Sequence, residues 1–208
     1  MASGTPTADA GLVLLLNGAP CSGKSSTARA IQTISERPTV NLGVDIAMAS
    51  TPASLLPGIG LRPGGERPDL ETFVGVSYRA LFDSIAAHAR HGIDVVSDLG
   101  IHDCYSEPLG IWGEAARRLA GLPAYAIGVR CPLDVILARR AAHPERYETS
   151  TGDQVSAAVR RWEEAVHDPG WYDFEIDTSK SGPDSCATAI LASVSDSTPG
   201  ALRRHRSD

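Results

Sequence analysis

No run of apolar residues in this chain approaches the length needed to cross a bilayer, so no membrane-spanning helix is expected. The opening residues, MASGTPTADAG, lack a basic stretch followed by an apolar one, so no secretion signal is expected and the cytoplasm is the expected location. An excess of basic residues is missing too. Lys and Arg number 19 against 25 Asp and Glu, a net charge of −6, which argues against a polynucleotide as substrate or partner. The four cysteines, Cys21, Cys104, Cys131 and Cys186, are scattered and form no C-x-x-C pair. They are expected as free thiols in a reducing compartment rather than a disulfide frame or a zinc site. There are no internal repeats and no interdomain linker, so 208 residues read as one domain with room for a sizeable core.

What is present is concentrated near the N-terminus. Leu12 to Leu16 is a continuous apolar run, the pattern of a strand buried on both faces of a parallel sheet. It breaks at Asn17-Gly18, and a helical pattern begins after Gly23. The intervening Gly18-Ala19-Pro20-Cys21-Ser22-Gly23-Lys24-Ser25 satisfies G-x-x-x-x-G-K-[ST] at every fixed position. Glycines let the backbone wrap a phosphate with its N–H groups turned inward, and the helix N-terminus adds positive potential. Lys24 is expected to reach the β- and γ-phosphates and the Ser25 hydroxyl to sit on Mg²⁺, with Ser26 completing the binding segment. Cys21 reads more simply as a small residue at a variable loop position than as a reactive thiol.

The rest of the chain alternates strand and helix. Helices are expected over Ser26–Glu36, Glu71–Arg90, from Ile111 through Leu119, after Pro132, across Val155–Val166 with Asp153 as cap, and over Pro183–Val194. Strands are expected at Thr39–Val44 running into Asp45, at Ile93–Asp98, at Ala124–Arg130 and at Tyr172–Asp177. This alternation predicts a three-layer α/β/α domain, doubly wound around a five-stranded parallel sheet, over residues 12–195. Residues 51–70, rich in Pro and Gly, read as a substrate-side insertion, because open α/β sheets bind ligands beyond their strand ends. Residues 143–152 read as a polar lid, and residues 1–11 and 196–208 as flexible termini.

Phosphoryl transfer needs a held triphosphate, a metal, positive charge on the moving group, and a placed acceptor with a base. Asp45 and Asp98 both end apolar strands, where a carboxylate can serve chemistry or merely cap the next element. Asp45 precedes the insertion and is assigned to the substrate hydroxyl; Asp98 is assigned to the metal side, as at the end of a Walker B strand. Arg139, Arg140 and Arg146 flank or occupy the lid and are the candidates for charge on the transferring group. His102, Asp103 and Tyr105 suggest a hydrolase triad only superficially, since no G-x-S-x-G elbow exists. They are expected to line the acceptor pocket or to cap the next helix, and Trp162 reads as core.

With these segments in hand, the chain resembles the chloramphenicol 3-O-phosphotransferase-like family of P-loop antibiotic kinases. The resemblance rests on Leu16-Asn17-Gly18, on Gly43-Val44-Asp45, on Gly128-Val129-Arg130-Cys131, and on Val166-His167 to Gly170 with Tyr172 to Thr178. It spans about Leu12 to Ile190. It implies ATP and Mg²⁺ as cofactors, transfer of the γ-phosphoryl group to an antibiotic hydroxyl, Asp45 as the base, and Arg139 with Arg146 as lid arginines. The family tends to carry paired acidic residues at the end of the third strand, where Asp98 is followed here by Leu99.

The resulting expectation is an ATP-dependent O-phosphotransferase acting on a small-molecule hydroxyl, with Lys24, Asp45, Arg139 and Arg146 in catalysis and Ser25 and Asp98 on the metal. No nucleic acid or membrane partner is expected, and a homo-oligomer is left open. Two alternatives stand beside it. A shikimate- or gluconate-type kinase needs an arginine cluster for an anionic acceptor. Arg62, Arg67, Arg79 and Arg90 are offset by Glu66, Asp69, Glu71 and Asp83, which favours a neutral or cationic acceptor. A regulatory nucleotide-binding module would turn over ATP slowly without any acceptor.

Overall fold

Val13 and Leu15 enter one apolar layer while Leu14 and Leu16 enter the other, so the first strand is covered on both faces. This period-two alternation in an unbroken apolar run is what a central parallel strand requires. The computed structural model describes residues 10–56, 67–143 and 153–205, the side chains of 153–159 excepted. The insertion's residues 57–66, the lid's residues 144–152 with Arg146, and the apolar stripe Val155, Ala158 and Val159 lie outside what is described.

Five strands form one parallel sheet: β1 (Val13–Asn17), β2 (Thr39–Asn41), β3 (Asp94–Leu99), β4 (Ala124–Arg130) and β5 (Phe174–Asp177). They lie in the order β2-β3-β1-β4-β5. The helices are α1 (Lys24–Ile34), α2 (Val44–Ala49), α3 (Pro68–Arg90), α4 (Ile111–Arg118), α5 (Leu133–Ala141), α6 (Asp153–Val166), α7 (Pro183–Ser195) and α8 (Ala201–Arg204). One face of the sheet packs on α3, α4 and α8 through Phe82, Ile85, Trp112 and Leu202. The other packs on α1 and α7 through Ala28, Ile31, Ala187 and Ile190. The expected three-layer α/β/α fold with a five-stranded parallel sheet is therefore the observed one.

Two segments differ from expectation in ways that bear on the site. The second strand ends at Asn41 rather than running to Val44, and Asp45 lies in the first turn of α2. The last sheet bond there is Leu42 N to Val96 O at 3.0 Å; beyond it Gly43 turns the chain off this edge strand. The C-terminal segment read as mobile carries α8, whose Ala201 and Leu202 are buried. Asp173 holds it through the backbone N–H groups of Gly200 and Ala201, at 2.7 and 2.9 Å, and His205 stacks on Trp112. Those contacts come from α4 and the β5 approach, far away in sequence, so local composition does not announce them.

A third, smaller apolar cluster sits at the carboxyl end of the sheet. Ala19 of the Gly18–Ser25 loop packs there with Cys131, Ile136 and Val166, flanked by Trp162. Through it α5 and α6 are pressed against the loop.

Candidate active site

The Gly18–Ser25 loop leaves β1 at the carboxyl end of the sheet, where parallel α/β sheets place their ligands. Its backbone needs its glycines. Gly23 sits at φ +96 just before α1, in the left-handed region. Gly18 is pressed so close to β4 that a β-carbon would fall 2.4 Å from the Val129 carbonyl oxygen. Cys21 also has positive φ, at 67°, a conformation that its residue type does not announce. No side chain caps α1. The first four amides of a helix have no partner within it, so those of Gly23, Lys24, Ser25 and Ser26 form an anion-binding end. The residues Gly18 to Ser26 thus fit a phosphate chain.

Lys24 is half-buried, and its Nζ donates to Ala19 O at 2.7 Å. Burial pushes its pKa down to about 8, against the raising pull of Asp98, Asp45, Cys21 and Glu163. One ammonium therefore collects Asp98 from the end of β3, Asp45 from α2 and Glu163 from α6. Ser25 Oγ donates to Asp98 Oδ2 at 2.5 Å. Asp98 is itself buried, 6% exposed, and its other oxygen abuts Gly43. A hydroxyl and a carboxylate are hard oxygen donors of the kind Mg²⁺ takes. Among the described residues no group of three or more His, Cys, Asp or Glu side chains is arranged to hold a metal, so such an ion would also need phosphate and water oxygens.

Arg139, expected as a lid arginine, stands in the last turn of α5 and clasps the loop to the segment after β5. Its Nη1 donates to Cys21 O at 3.2 Å and to Thr178 Oγ1 at 3.1 Å, and its Nη2 to Thr178 O at 2.8 Å. Thr178 Oγ1 in turn donates to Ser22 O at 2.6 Å, and its side chain lies against Gly23. Arg140 is buried on the same helix.

Asn17, the last residue of β1, organises the floor. Its Oδ1 accepts from Ile101 N at 2.6 Å, and its Nδ2 donates to Val166 O at 2.8 Å and to the Tyr172 hydroxyl at 3.1 Å. One amide thereby ties together the β3–α4 loop, the end of α6 and the approach to β5. In that loop Asp103 caps α4 by accepting from Leu109 N and Gly110 N, at 2.8 and 3.0 Å. His102 is buried, stacked on Tyr105 and edge-on to Trp162. Burial drives the Tyr105 hydroxyl strongly upward in pKa, so it stays neutral. This is a packed aromatic wall.

Glu163, Thr178, Gly43 and Asn17 were given no role from the sequence. Asn17, Gly43 and Thr178 fall inside the segments that carry the family resemblance, and that was their only signal. Glu163 sits beside Trp162 on α6, and only the fold turns it toward Lys24.

Residues 11–195 match the family described as chloramphenicol phosphotransferase-like protein. No curated protein matches the chain. Solved structures share the fold at low identity. A tunicamycin resistance protein of Deinococcus radiodurans is 18% identical, with 91% of this chain and 99% of that one covered and a TM-score of 0.60. A shikimate kinase of Acinetobacter baumannii, in complex with shikimate, is 12% identical over 90% and 97% with a TM-score of 0.60. A Mycobacterium tuberculosis APS kinase, in complex with AMPPNP and APS, is 15% identical over 90% and 98% with a TM-score of 0.58. A kinase-type phosphotransferase with a nucleotide-binding P-loop is what these findings support, and over nearly its whole length the chain belongs to the chloramphenicol phosphotransferase-like family.

Proposed function

We propose that the chain is an ATP-dependent O-phosphotransferase that moves the γ-phosphoryl group of ATP to a hydroxyl of a small molecule, with an antibiotic as the favoured acceptor. The observation that carries this reading is the convergence on Lys24 of Asp98, already bonded to Ser25, and of Asp45 from the first turn of α2. The loop amides and Lys24 hold the triphosphate. Ser25 and Asp98 hold Mg²⁺, which when bound would neutralise charge on the β- and γ-phosphates. Asp45, exposed in the first turn of α2, accepts the proton of the attacking hydroxyl. Arg139 keeps the loop in shape and, with Arg146 of the lid, offsets charge on the group in transfer.

The antibiotic reading draws on the family's name and on the tunicamycin resistance protein that shares the fold. The homologous kinase folds act on varied acceptors, so fold alone does not choose among them. The test is a mass-spectrometric screen of chloramphenicol and other hydroxylated antibiotics with ATP and Mg²⁺. A product heavier by one phosphoryl group, absent without the protein, supports the reading. ATP turnover that is independent of every acceptor would point instead to a regulatory nucleotide-binding module.

A further inference from the structure

The segment that follows β5 reaches the phosphate loop through the side chain of Thr178. Its Oγ1 donates to Ser22 O at 2.6 Å, and the same oxygen accepts from Arg139 Nη1 at 3.1 Å. The hydroxyl has a single proton to give. The other carbonyl within reach, Arg130 O, stands 3.5 Å away and already receives the Thr178 N–H at 3.1 Å, so the proton belongs to Ser22 O. The guanidinium behind the hydroxyl is itself held, because its Nη2 donates to Thr178 O at 2.8 Å and its Nη1 also to Cys21 O at 3.2 Å.

The consequence falls on the peptide between Ser22 and Gly23. That peptide is trans, since Asp168–Pro169 is the only cis peptide among the described residues, and the C=O and N–H of a trans peptide point in opposite directions. With Ser22 O turned to Thr178, the Gly23 N–H is turned away from it, and it donates to no atom of the described residues. Gly23 sits at φ +96, and glycine takes either sign of φ about equally readily, so the backbone does not choose this orientation by itself. A rotated peptide would present the Ser22 carbonyl oxygen where the Gly23 N–H now points, replacing a donor that suits an anion with an oxygen that repels one. The Thr178 methyl makes a separate contact. A β-carbon on Gly23 would lie 3.2 Å from Thr178 Cγ2, so the methyl packs beside the glycine while the hydroxyl holds the carbonyl.

We propose that Thr178 is a positioning residue of the phosphate site: its hydroxyl, held by Arg139, fixes the Ser22–Gly23 peptide with the Gly23 N–H toward the phosphate chain. The inference rests on the nucleotide half of the kinase reading, and its test needs neither an acceptor nor phosphoryl transfer.

The experiment measures, by calorimetry on the full chain, the Kd for ATP with Mg²⁺ and for inorganic triphosphate in the natural protein, Thr178→Val and Thr178→Ser. Valine keeps the shape and the methyl contact but cannot donate, whereas serine keeps the hydroxyl and loses the methyl. Thr178→Val is expected to weaken both ligands by about tenfold or more, the size of one hydrogen bond to a charged group. Thr178→Ser is expected to stay within about threefold of the natural protein. Thermal melting verifies folding, and Thr178→Ala decides if the valine variant does not fold. An unchanged Kd in Thr178→Val overturns the proposal. So does a loss for ATP alone, which would put Thr178 at the base rather than the phosphates. A serine variant as weak as the valine variant overturns it too, because the methyl contact would then carry the effect. Loss in valine and rescue in serine, in a protein that phosphorylates no acceptor, upholds the positioning role while removing the transferase reading.

Discussion

Gly43 and Asp98 are packed so closely that a β-carbon on Gly43 would lie 1.6 Å from Asp98 Oδ1. The glycine backbone itself is extended, φ −88 and ψ 172, so any residue could adopt it and only space forbids a side chain. The Asp98 carboxylate is thereby wedged between Gly43 and the Ser25 hydroxyl.

Gly43→Ala is therefore expected to swing the carboxylate away from Ser25. Overpacking of this kind costs about 1–3 kcal/mol, read as a lower urea midpoint. The more specific outcome is that the Mg²⁺ concentration needed for half-maximal ATP binding rises about tenfold, a loss of roughly 1.4 kcal/mol. A Mg²⁺ requirement unchanged in the variant would remove Asp98 from the metal side.

Lys24 yields a pH prediction. Its pKa in the free protein is lowered to about 8, chiefly by burial, with the nearby carboxylates pulling the other way. A bound triphosphate favours the ammonium and moves the pKa upward again. Near pH 8.5 most free chains carry neutral Lys24, so ATP binding should take up about half a proton or more. Near pH 6.5 the lysine is already charged, and uptake at this site should vanish. Calorimetry in buffers of different ionisation enthalpy measures the proton count, and Lys24→Met should abolish the difference between the two pH values. Equal counts at both pH values in the natural protein would contradict this.

The Glu163 carboxyl is shifted the opposite way, up to about 7, with burial outweighing the attraction of Arg130 and Lys24. A carboxyl whose folded pKa exceeds its unfolded one binds more protons when folded. Its favourable contribution is complete below about pH 4.5 and is lost as pH rises through 7. Glu163→Gln removes that dependence. The Tm of the variant minus that of the natural protein should therefore grow more positive from pH 5 to pH 8, the range about this pKa. A difference that stays flat, or shrinks, would show that Glu163 titrates as an exposed carboxylate.

The sheet and the phosphate loop were legible in the sequence because local signals state them. The unbroken Leu12–Leu16 run, the glycine spacing and the helical stripe after Gly23 each follow from nearest neighbours. The whole of β4, Ala124–Arg130, was readable for the same reason. What was not legible comes from contacts between distant segments. Whether Asp45 ends a strand or opens a helix depends on Gly43 being pinned against Asp98, 55 residues downstream by their numbers. Arg139 reads as a lid residue from its place before a polar loop, and its bonds to Cys21 and Thr178, 118 and 39 residues away, leave no local mark in the sequence. Glu163 looks like one of many surface glutamates on an amphipathic helix until α6 is laid over the end of β1 by the Asn17–Val166 bond.

As the proposed general base, Asp45 would turn a nucleotide site into a hydroxyl kinase, which is tested by the rate of acceptor phosphorylation by Asp45→Asn at saturating ATP. The variant is expected to bind ATP while kcat falls roughly 10²–10⁴-fold, the size of a general-base contribution. Near-normal turnover would remove Asp45 from the mechanism.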